Sequence, residues 1–152
     1  MKKISIVALL WCTTVSVMAQ KFPVGIFSVQ DTVKGFQLGV ISSVNPDGGK
    51  GLQLSGFTNT SGHTFNGLQL SGISNITDGM NRGAQLSAIM NVSTSMMRGL
   101  QLGAVKYADS LNGAQVGVFN VARKRPKGWQ VALVNVSNDS IGHKIGLVNI
   151  NP

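Results

Sequence analysis

Polar and apolar positions recur along this chain with a period of 14 to 16 residues. Each unit opens on a Gly, has Gln two positions later and an aliphatic residue next, and in most copies reaches an Asn shortly afterwards. The opening residues are Gly35, Gly51, Gly67, Gly83, Gly99, Gly113, Gly128 and Gly142. The polar position is Gln37, Gln53, Gln69, Gln85, Gln101, Gln115 and Gln130, with Lys144 in the last copy.

The unit is too short and too rich in Gly for a helical repeat. Frequent Val, Ile, Thr and Asn also oppose helix, whereas about 15 residues can hold two strands of about five residues and two tight turns. The pattern therefore predicts an all-β chain, a parallel β-solenoid of about eight coils. Val24–Val29 resembles the second half of a unit, so we expect the repeat to begin there.

A parallel stack places identical repeat positions above one another, about 4.8 Å apart. Gln and Asn amides can then hydrogen-bond from coil to coil, and Gly can occupy a corner where a Cβ would clash. The aliphatic column, followed by Phe57, Ile73, Ile89 and Phe119, is expected to form a continuous apolar core. Its members are Leu38, Leu54, Leu70, Leu86, Leu102, Val116, Val131 and Ile145.

A small antiparallel β-barrel with one strand per copy is the alternative fold. In antiparallel neighbours, identical positions would alternate between opposite ends of the sheet, so the uniform Gln and Asn positions would have no structural explanation. Beyond its Phe residues, the chain after residue 19 has only Trp129 and Tyr107 for the aromatic girdles of a membrane barrel. The solenoid is therefore favoured.

The N-terminus has the features of a secretory signal peptide. Lys2 and Lys3 precede the apolar run Ile4–Trp11, and cleavage is expected after Ala19. Residues 1–19 are thus predicted to be removed, leaving residues 20–152 as one repeat domain without a transmembrane helix. The single cysteine, Cys12, lies in the removed segment; lipid attachment there is the alternative, which the bulky Trp11 fits poorly.

Two runs carry a family resemblance: Gly67-Leu-Gln-Leu-Ser-Gly-Ile-Ser-Asn-Ile and Gly128-Trp-Gln-Val-Ala-Leu-Val-Asn-Val. With their neighbours they resemble the surface-repeat proteins of Gram-negative bacteria over nearly the whole exported chain. The resemblance implies a location at the cell surface, in the outer membrane or outside the cell. It also implies a longer protein, of which residues 20–152 would be the N-terminal part. An eighth coil ending at Pro152 would leave a strand edge open, which favours end-to-end self-association or a C-terminal partner.

Positive charge is concentrated beside the repeat Gly. The whole chain has net charge +8, from 13 basic and 5 acidic residues; without Lys2 and Lys3 it has 11 basic residues against 5, or +6. The basic residues that form the predicted edge are Lys34, Lys50, Arg82, Arg98, Arg123, Lys124, Arg125 and Lys127. The edge favours an anionic surface glycan or lipopolysaccharide as partner; the alternative is a solvated rim that blocks aggregation. Nucleic acid is not expected, because no aromatic residues are interleaved with the basic ones.

Three Asp residues precede a Ser or Thr and then an aliphatic residue. The motif resembles one that some Gram-negative bacteria use for O-linked glycosylation, which makes Thr32, Ser110 and Ser140 candidate acceptors. The alternative is ordinary turn chemistry, with Val33 and Leu111 closing the core below.

Candidate catalytic and metal-binding groups are scarce. There is no Glu, the five Asp residues are isolated, and His63 and His143 lie 80 positions apart. Acid–base catalysis and metal binding both need such groups in clusters. We therefore expect neither an enzyme nor a cofactor, but an exported scaffold or binding surface for envelope or extracellular partners. The alternative is an outer-membrane-associated β-barrel protein or the soluble repeat portion of one.

Overall fold

The computed structural model describes residues 24–139 and 142–151, and within these residues the chain is all strand and turn. The strands are β1 (Val24–Val29), β2 (Val33–Asn45), β3 (Gly49–Ser55), β4 (Thr58–Ser61), β5 (Phe65–Ser71), β6 (Ser74–Thr77), β7 (Asn81–Ser87), β8 (Met90–Leu102), β9 (Val105–Val116), β10 (Phe119–Asp139) and β11 (Gly142–Asn151).

The strands stack in parallel and in register, which confirms the β-solenoid. Gln37 pairs with Gln53, Gln53 with Gln69, and Gln69 with Gln85. Each coil has two strand segments: the first half of β2 pairs with β3, while its second half pairs with β4. We call the outer surface of the Gln-bearing segments the first face and that of the Asn-bearing segments the second face. The antiparallel alternative is wrong for these coils, because identical positions lie side by side.

The first and last units depart from a simple count of eight coils. β1 pairs in parallel with the second half of β2, so the stack begins with the half-unit at Val24. At the other end the prediction of an eighth coil is wrong, because β11 returns antiparallel to β10 and covers the seventh coil. A parallel eighth coil would place Lys144 in the buried Gln column, where an unpaired charge is costly. The antiparallel return sets Asn149 opposite Gln130 instead.

The interior of the solenoid is polar. All seven Gln side chains of the coils are 0% exposed, and the Asn residues of the repeat are buried with them. The prediction of an aliphatic core is wrong: Leu70 is 43% exposed, and Phe57 is 52% exposed. The reason is the two-residue period of a strand, because a Gln that points inward forces its aliphatic neighbour outward. Buried apolar side chains are confined to Val33, Phe65, Met97, Ala108, Leu111, Ala122 and Ala132 among the described residues.

The repeat Gly allows the coils to approach one another. Gly67 has φ +143°, a region that L side chains rarely adopt, and a Cβ built on it would overlap the carbonyl oxygen of Gly51 in the coil before. The same overlap recurs at Gly83, against Gly67. The repeat Gly residues therefore form a Gly column, stacked one above another without side chains between them.

Candidate functional site

The Gln column is a continuous chain of side-chain hydrogen bonds. Each Nε2 donates to the Oε1 of the coil before, at 2.7–2.8 Å; the linked residues are Gln53, Gln69, Gln85, Gln101, Gln115 and Gln130. Gln53 itself donates to the carbonyls of Ser43 and Thr60 rather than to Gln37. The column thus satisfies amides that could not be buried singly, except for Gln130 Oε1 at its end, which has no hydrogen-bond partner among the described residues.

The Asn column runs in the opposite direction. Asn59 Nδ2 donates to Asn75 Oδ1 at 2.8 Å, and Asn75 donates to Asn91 at 2.8 Å, each toward the following coil. Asn120 donates to Asn135 in the same sense at 2.7 Å. Each of these Asn donors also reaches a backbone carbonyl across the coil, as Asn75 does to Leu86 at 2.7 Å. The two columns hold the two faces together.

Lys106 interrupts the Asn column. It is in register with Asn91 before it and Asn120 after it, and its side chain is fully buried. Its Nζ donates to the carbonyls of Gly103 and Ala104, and desolvation lowers the pKa of Lys106 to about 8. Lys106 is not among the predicted site residues; its signal in the sequence is the missing Asn in that copy of the repeat.

Asn120 is left incomplete by this interruption. Its Oδ1 is buried and has no hydrogen-bond partner among the described residues, because a lysine ammonium at position 106 turns toward the corner instead. The corner has room for the amine because Gly117 carries no side chain; a Cβ there would overlap Lys106 Nζ. Lys106 is therefore a local interruption of the Asn column, although Gly117 would also be too close to the carbonyl oxygen of Gly103 for a side chain.

The predicted basic residues beside the repeat Gly form one exposed column. Strand register aligns Lys34 with Lys50, Arg82 with Arg98, and Lys127 with a neighbouring Asn, and these side chains are all exposed. The complete column, which we call the basic column, is Lys34, Lys50, Asn66, Arg82, Arg98, Asn112 and Lys127. Successive members are about 4.8 Å apart along the axis.

The other predicted basic residues, Arg123, Lys124 and Arg125, lie in β10 just before Lys127. Lys124 Nζ is 2.8 Å from Asp109 Oδ2, so an acidic residue of the previous coil partly neutralises it. Arg123 donates to the Tyr107 hydroxyl at 3.4 Å, and this contact raises the pKa of Arg123. Arg125 belongs to β10, at the register shift between Lys124 and Lys127. The structure thus separates Arg123 and Lys124 from the basic column.

The candidate O-glycosylation residues differ in accessibility. Thr32 is exposed just before β2, whereas Ser110 is half-buried within β9. Val33 and Leu111, which follow them, are buried. Ser140 lies outside the described residues. Only Thr32 therefore stands on an open turn in the described part of the chain.

One corner of every coil is apolar. Backbone hydrogen bonds stack Phe57 on Ile41, Ile73 on Phe57, Ile89 on Ile73 and Val105 on Ile89, at 2.7–3.2 Å. The three-residue segments that form this apolar corner contain no charged residue: 39–41, 55–57, 71–73, 87–89, 103–105, 117–119 and 132–134. Its large side chains are exposed, up to 68% at Leu133.

The opposite corner carries the charge. Within residues 24–139, it contains every Lys and Arg except Lys106, together with Asp31, Asp47, Asp78 and Asp109. We call it the charged corner; its segments are 30–34, 46–50, 62–66, 78–82, 94–98, 109–112 and 123–127. The repeat therefore sorts side chains into a polar interior, an apolar corner and a charged corner.

A shallow groove of about 540 Å³ lies on the first face over the last coils. Its floor is formed by three members of the Gly column, Gly99, Gly113 and Gly128. Asn112 and Lys127 line one side, and Ala114 and Trp129 line the other. Trp129 is 61% exposed. Trp129 is not among the predicted site residues; its signal in the sequence is its position directly after the repeat Gly, next to the basic residue that precedes that Gly.

Metal and membrane-helix features are lacking in the described part of the chain. Residues 24–139 and 142–151 contain no group of three or more His, Cys, Asp and Glu residues placed to hold a metal ion. No described helix is long and apolar enough to cross a membrane.

Comparison with protein-family models gives no match, and neither do comparisons with curated proteins and with solved structures.

Proposed function

We propose that the protein is an exported, non-catalytic component of a bacterial cell envelope that lies edge-on at a lipid surface, with its apolar corner in the outer part of the bilayer. The observation that carries this proposal is the separation of the apolar corner from the charged corner. A soluble monomer rarely exposes a continuous apolar strip of this kind, and such strips mark surfaces that bind a partner or a membrane.

The dimensions of the coil fit this orientation. A strand segment of five or six residues is about 17–20 Å long, which sets the distance between the two corners. An amphipathic element lies with its apolar side about 5–10 Å deep at the boundary of headgroups and acyl chains. The charged corner would then stand in or above the headgroups. The half-exposed aliphatic residues of the first face, such as Leu70 and Val116, continue the apolar surface toward the water.

The free energy available is sufficient for association. Complete burial of a large apolar side chain contributes about 1.5–3 kcal/mol, so a half-exposed one contributes about 1 kcal/mol. Nine such side chains line the corner: Val40, Ile41, Phe57, Ile73, Ile89, Val105, Val118, Phe119 and Leu133. Together they give about 6–9 kcal/mol before the cost of association, which is itself several kcal/mol. Reversible binding to a lipid surface is the expected result.

Two sequence expectations support the proposal. The N-terminal segment predicts export, and the resemblance to surface-repeat proteins implies an envelope location. A non-catalytic role agrees with the polar interior, because the buried Gln and Asn side chains are engaged in hydrogen bonds within the Gln and Asn columns. Both expectations remain proposals for this chain.

Vesicle flotation tests the lipid proposal. Protein produced from the full chain is mixed with vesicles of phosphatidylethanolamine and phosphatidylglycerol and centrifuged through a density gradient. We expect the protein to float with the vesicles and the double variant Phe57→Asn/Ile89→Asn to float much less. Both residues are about half exposed, so the variant should remain folded.

The matched control changes two exposed apolar residues far from the apolar corner. Phe36→Asn/Leu68→Asn removes apolar residues next to the Gly column on the first face, and we expect it to float like the unmodified protein. Failure of the unmodified protein to float, or equal loss in both double variants, would refute the orientation. Lipid-free dimers that Phe57→Asn/Ile89→Asn disperses would instead show that the apolar corner packs against a second copy.

A further inference from the structure

The Gly column forms a trough along the first face. Because side chains alternate across a strand, the residues directly before and after each repeat Gly point to the same outer side. The residue before belongs to the basic column, and the residue after is apolar or aromatic, such as Leu68 or Trp129. In the sixth coil the two flanking residues are the short Asn112 and Ala114, which line the groove over the last coils. A long molecule can therefore lie in it parallel to the solenoid axis.

We propose that the C-terminal part of this trough binds an anionic polysaccharide, with Arg98 and Lys127 holding its acidic groups and Trp129 stacking on a sugar ring. The site is independent of the apolar corner and needs no lipid. The residues concerned lie in three consecutive coils, which the register aligns as Arg98, Asn112 and Lys127.

The cationic side of the trough matches a linear polyanion. Arg98 and Lys127 are two coils apart, about 10 Å along the axis, a spacing comparable to a disaccharide. Between them, Asn112 offers an amide donor and acceptor for hydroxyl groups. Like charges at the spacing of adjacent coils, as at Arg82 and Arg98, repel one another, and a bound polyanion relieves that repulsion. The basic column therefore favours an extended ligand over a single small anion.

The other side of the trough supplies a stacking surface. Trp129 exposes most of its indole, and the apolar C–H face of a pyranose ring stacks on such a ring with little loss of conformational freedom. Single-stranded nucleic acid would need an aromatic residue for each of several bases. Here the coils before Trp129 present Ala114 and Leu100 at the same position. One aromatic residue beside a spaced cationic column fits a glycan better than a nucleic acid.

Tryptophan fluorescence gives a direct readout of the site. The chain has two Trp residues, Trp11 and Trp129, so Trp11→Phe in the full chain leaves Trp129 as the sole reporter whether or not residues 1–19 are removed. Titration with polygalacturonate, without lipid, is expected to shift the emission of Trp129 to shorter wavelength, with an affinity that falls as salt is added. Dextran, which is uncharged, is expected to give no shift.

Variants separate the site from general attraction to positive charge. Trp129→Ala is expected to weaken polygalacturonate binding about tenfold by calorimetry, the usual effect of losing one stacking aromatic. Lys127→Gln is expected to weaken it more than Lys124→Gln, although each removes one charge, because Lys124 already pairs with Asp109. Equal effects of the two lysine variants, equal binding of dextran, or equally tight binding of an oligothymidine would each overturn the proposal.

Discussion

Replacement of Lys106 by asparagine should stabilise the protein. The substitution would restore the Asn column where a lysine now interrupts it. The new carboxamide could accept from Asn91 Nδ2 and donate to Asn120 Oδ1, which is buried without a partner in the described structure. The substitution would also remove a buried ammonium whose hydrogen bonds go only to the carbonyls of Gly103 and Ala104 among the described residues.

The size of the effect follows from three contributions. Desolvation lowers the pKa of Lys106 from 10.5 to about 8, and each unit corresponds to about 1.4 kcal/mol, so burying the charge costs about 3 kcal/mol at pH 7. Two restored hydrogen bonds add about 1 kcal/mol each. Loss of the packed lysine stem offsets about 1–2 kcal/mol. The net expectation is an increase of about 3–4 kcal/mol in the free energy of unfolding.

Urea denaturation at several pH values separates charge from hydrogen bonding. Lys106→Met serves as the control, because it removes the charge without restoring the column. Below pH 8 both folded and unfolded chains carry the proton, so the cost of the charge is constant; between pH 8 and 10.5 only the unfolded chain holds it, and stability rises with pH. The unmodified protein should therefore gain stability relative to Lys106→Met across that interval.

Two results would refute this reasoning. One is a Lys106→Asn protein that is less stable than the unmodified protein at pH 7, which would mean that Lys106 supports the turn more than it disturbs the column. The other is a constant difference between the unmodified protein and Lys106→Met from about pH 7 to the ordinary lysine pKa of 10.5, which would mean that the amine is not desolvated.

Two further predictions concern the stack itself. Gln69→Leu should lower the free energy of unfolding by about 2–5 kcal/mol, because buried donors from Gln85, Thr77 and Asn81 lose their shared acceptor; Leu70→Gln, at a 43% exposed position, should change it by less than about 1 kcal/mol. Chemical denaturation that ranks these two variants the other way would mean that the strand faces are reversed. Gly83→Ala should cost about 2–4 kcal/mol, since φ is +134° and the added Cβ overlaps the carbonyl oxygen of Gly67. Ala84→Ser beside it should change the midpoint little, and a Gly83→Ala protein with the same midpoint would contradict the close contact between coils.

The repeat period was sufficient to predict the fold, because only an in-register parallel stack gives identical residues a common environment. It could not decide which side of the strand faces inward. Gln and Leu alternate in every unit, and the usual preference for buried aliphatic residues points to the wrong one. The deciding factor is cooperative: one buried Gln is costly, but Gln53 and its stacked neighbours satisfy one another, so the column is stable only as a whole.

At the surface, the sequence predicts those alignments that follow from the strand register. The register follows from the repeat, so the alignment of Lys34 and Lys50 could be derived. The pairing of Lys124 with Asp109 depends on a register shift between β9 and β10, which the period does not specify. The direction of the last unit is likewise not specified by the period. Lys144 keeps the spacing of the repeat, but the chain there runs antiparallel to β10.

The opposite directions of the Gln and Asn columns bear on how this solenoid can lengthen. A single column of aligned carboxamides would accumulate a dipole along the axis, as the peptide groups of a helix do. In the coils that carry both residues, the dipole of the Gln side chain opposes that of the Asn side chain, so adding such a coil leaves little growing partial charge at either end. Internal duplication of one unit is therefore electrostatically neutral for the interior. The number of coils can change without redesign of the buried residues, and the length of the apolar corner changes with it.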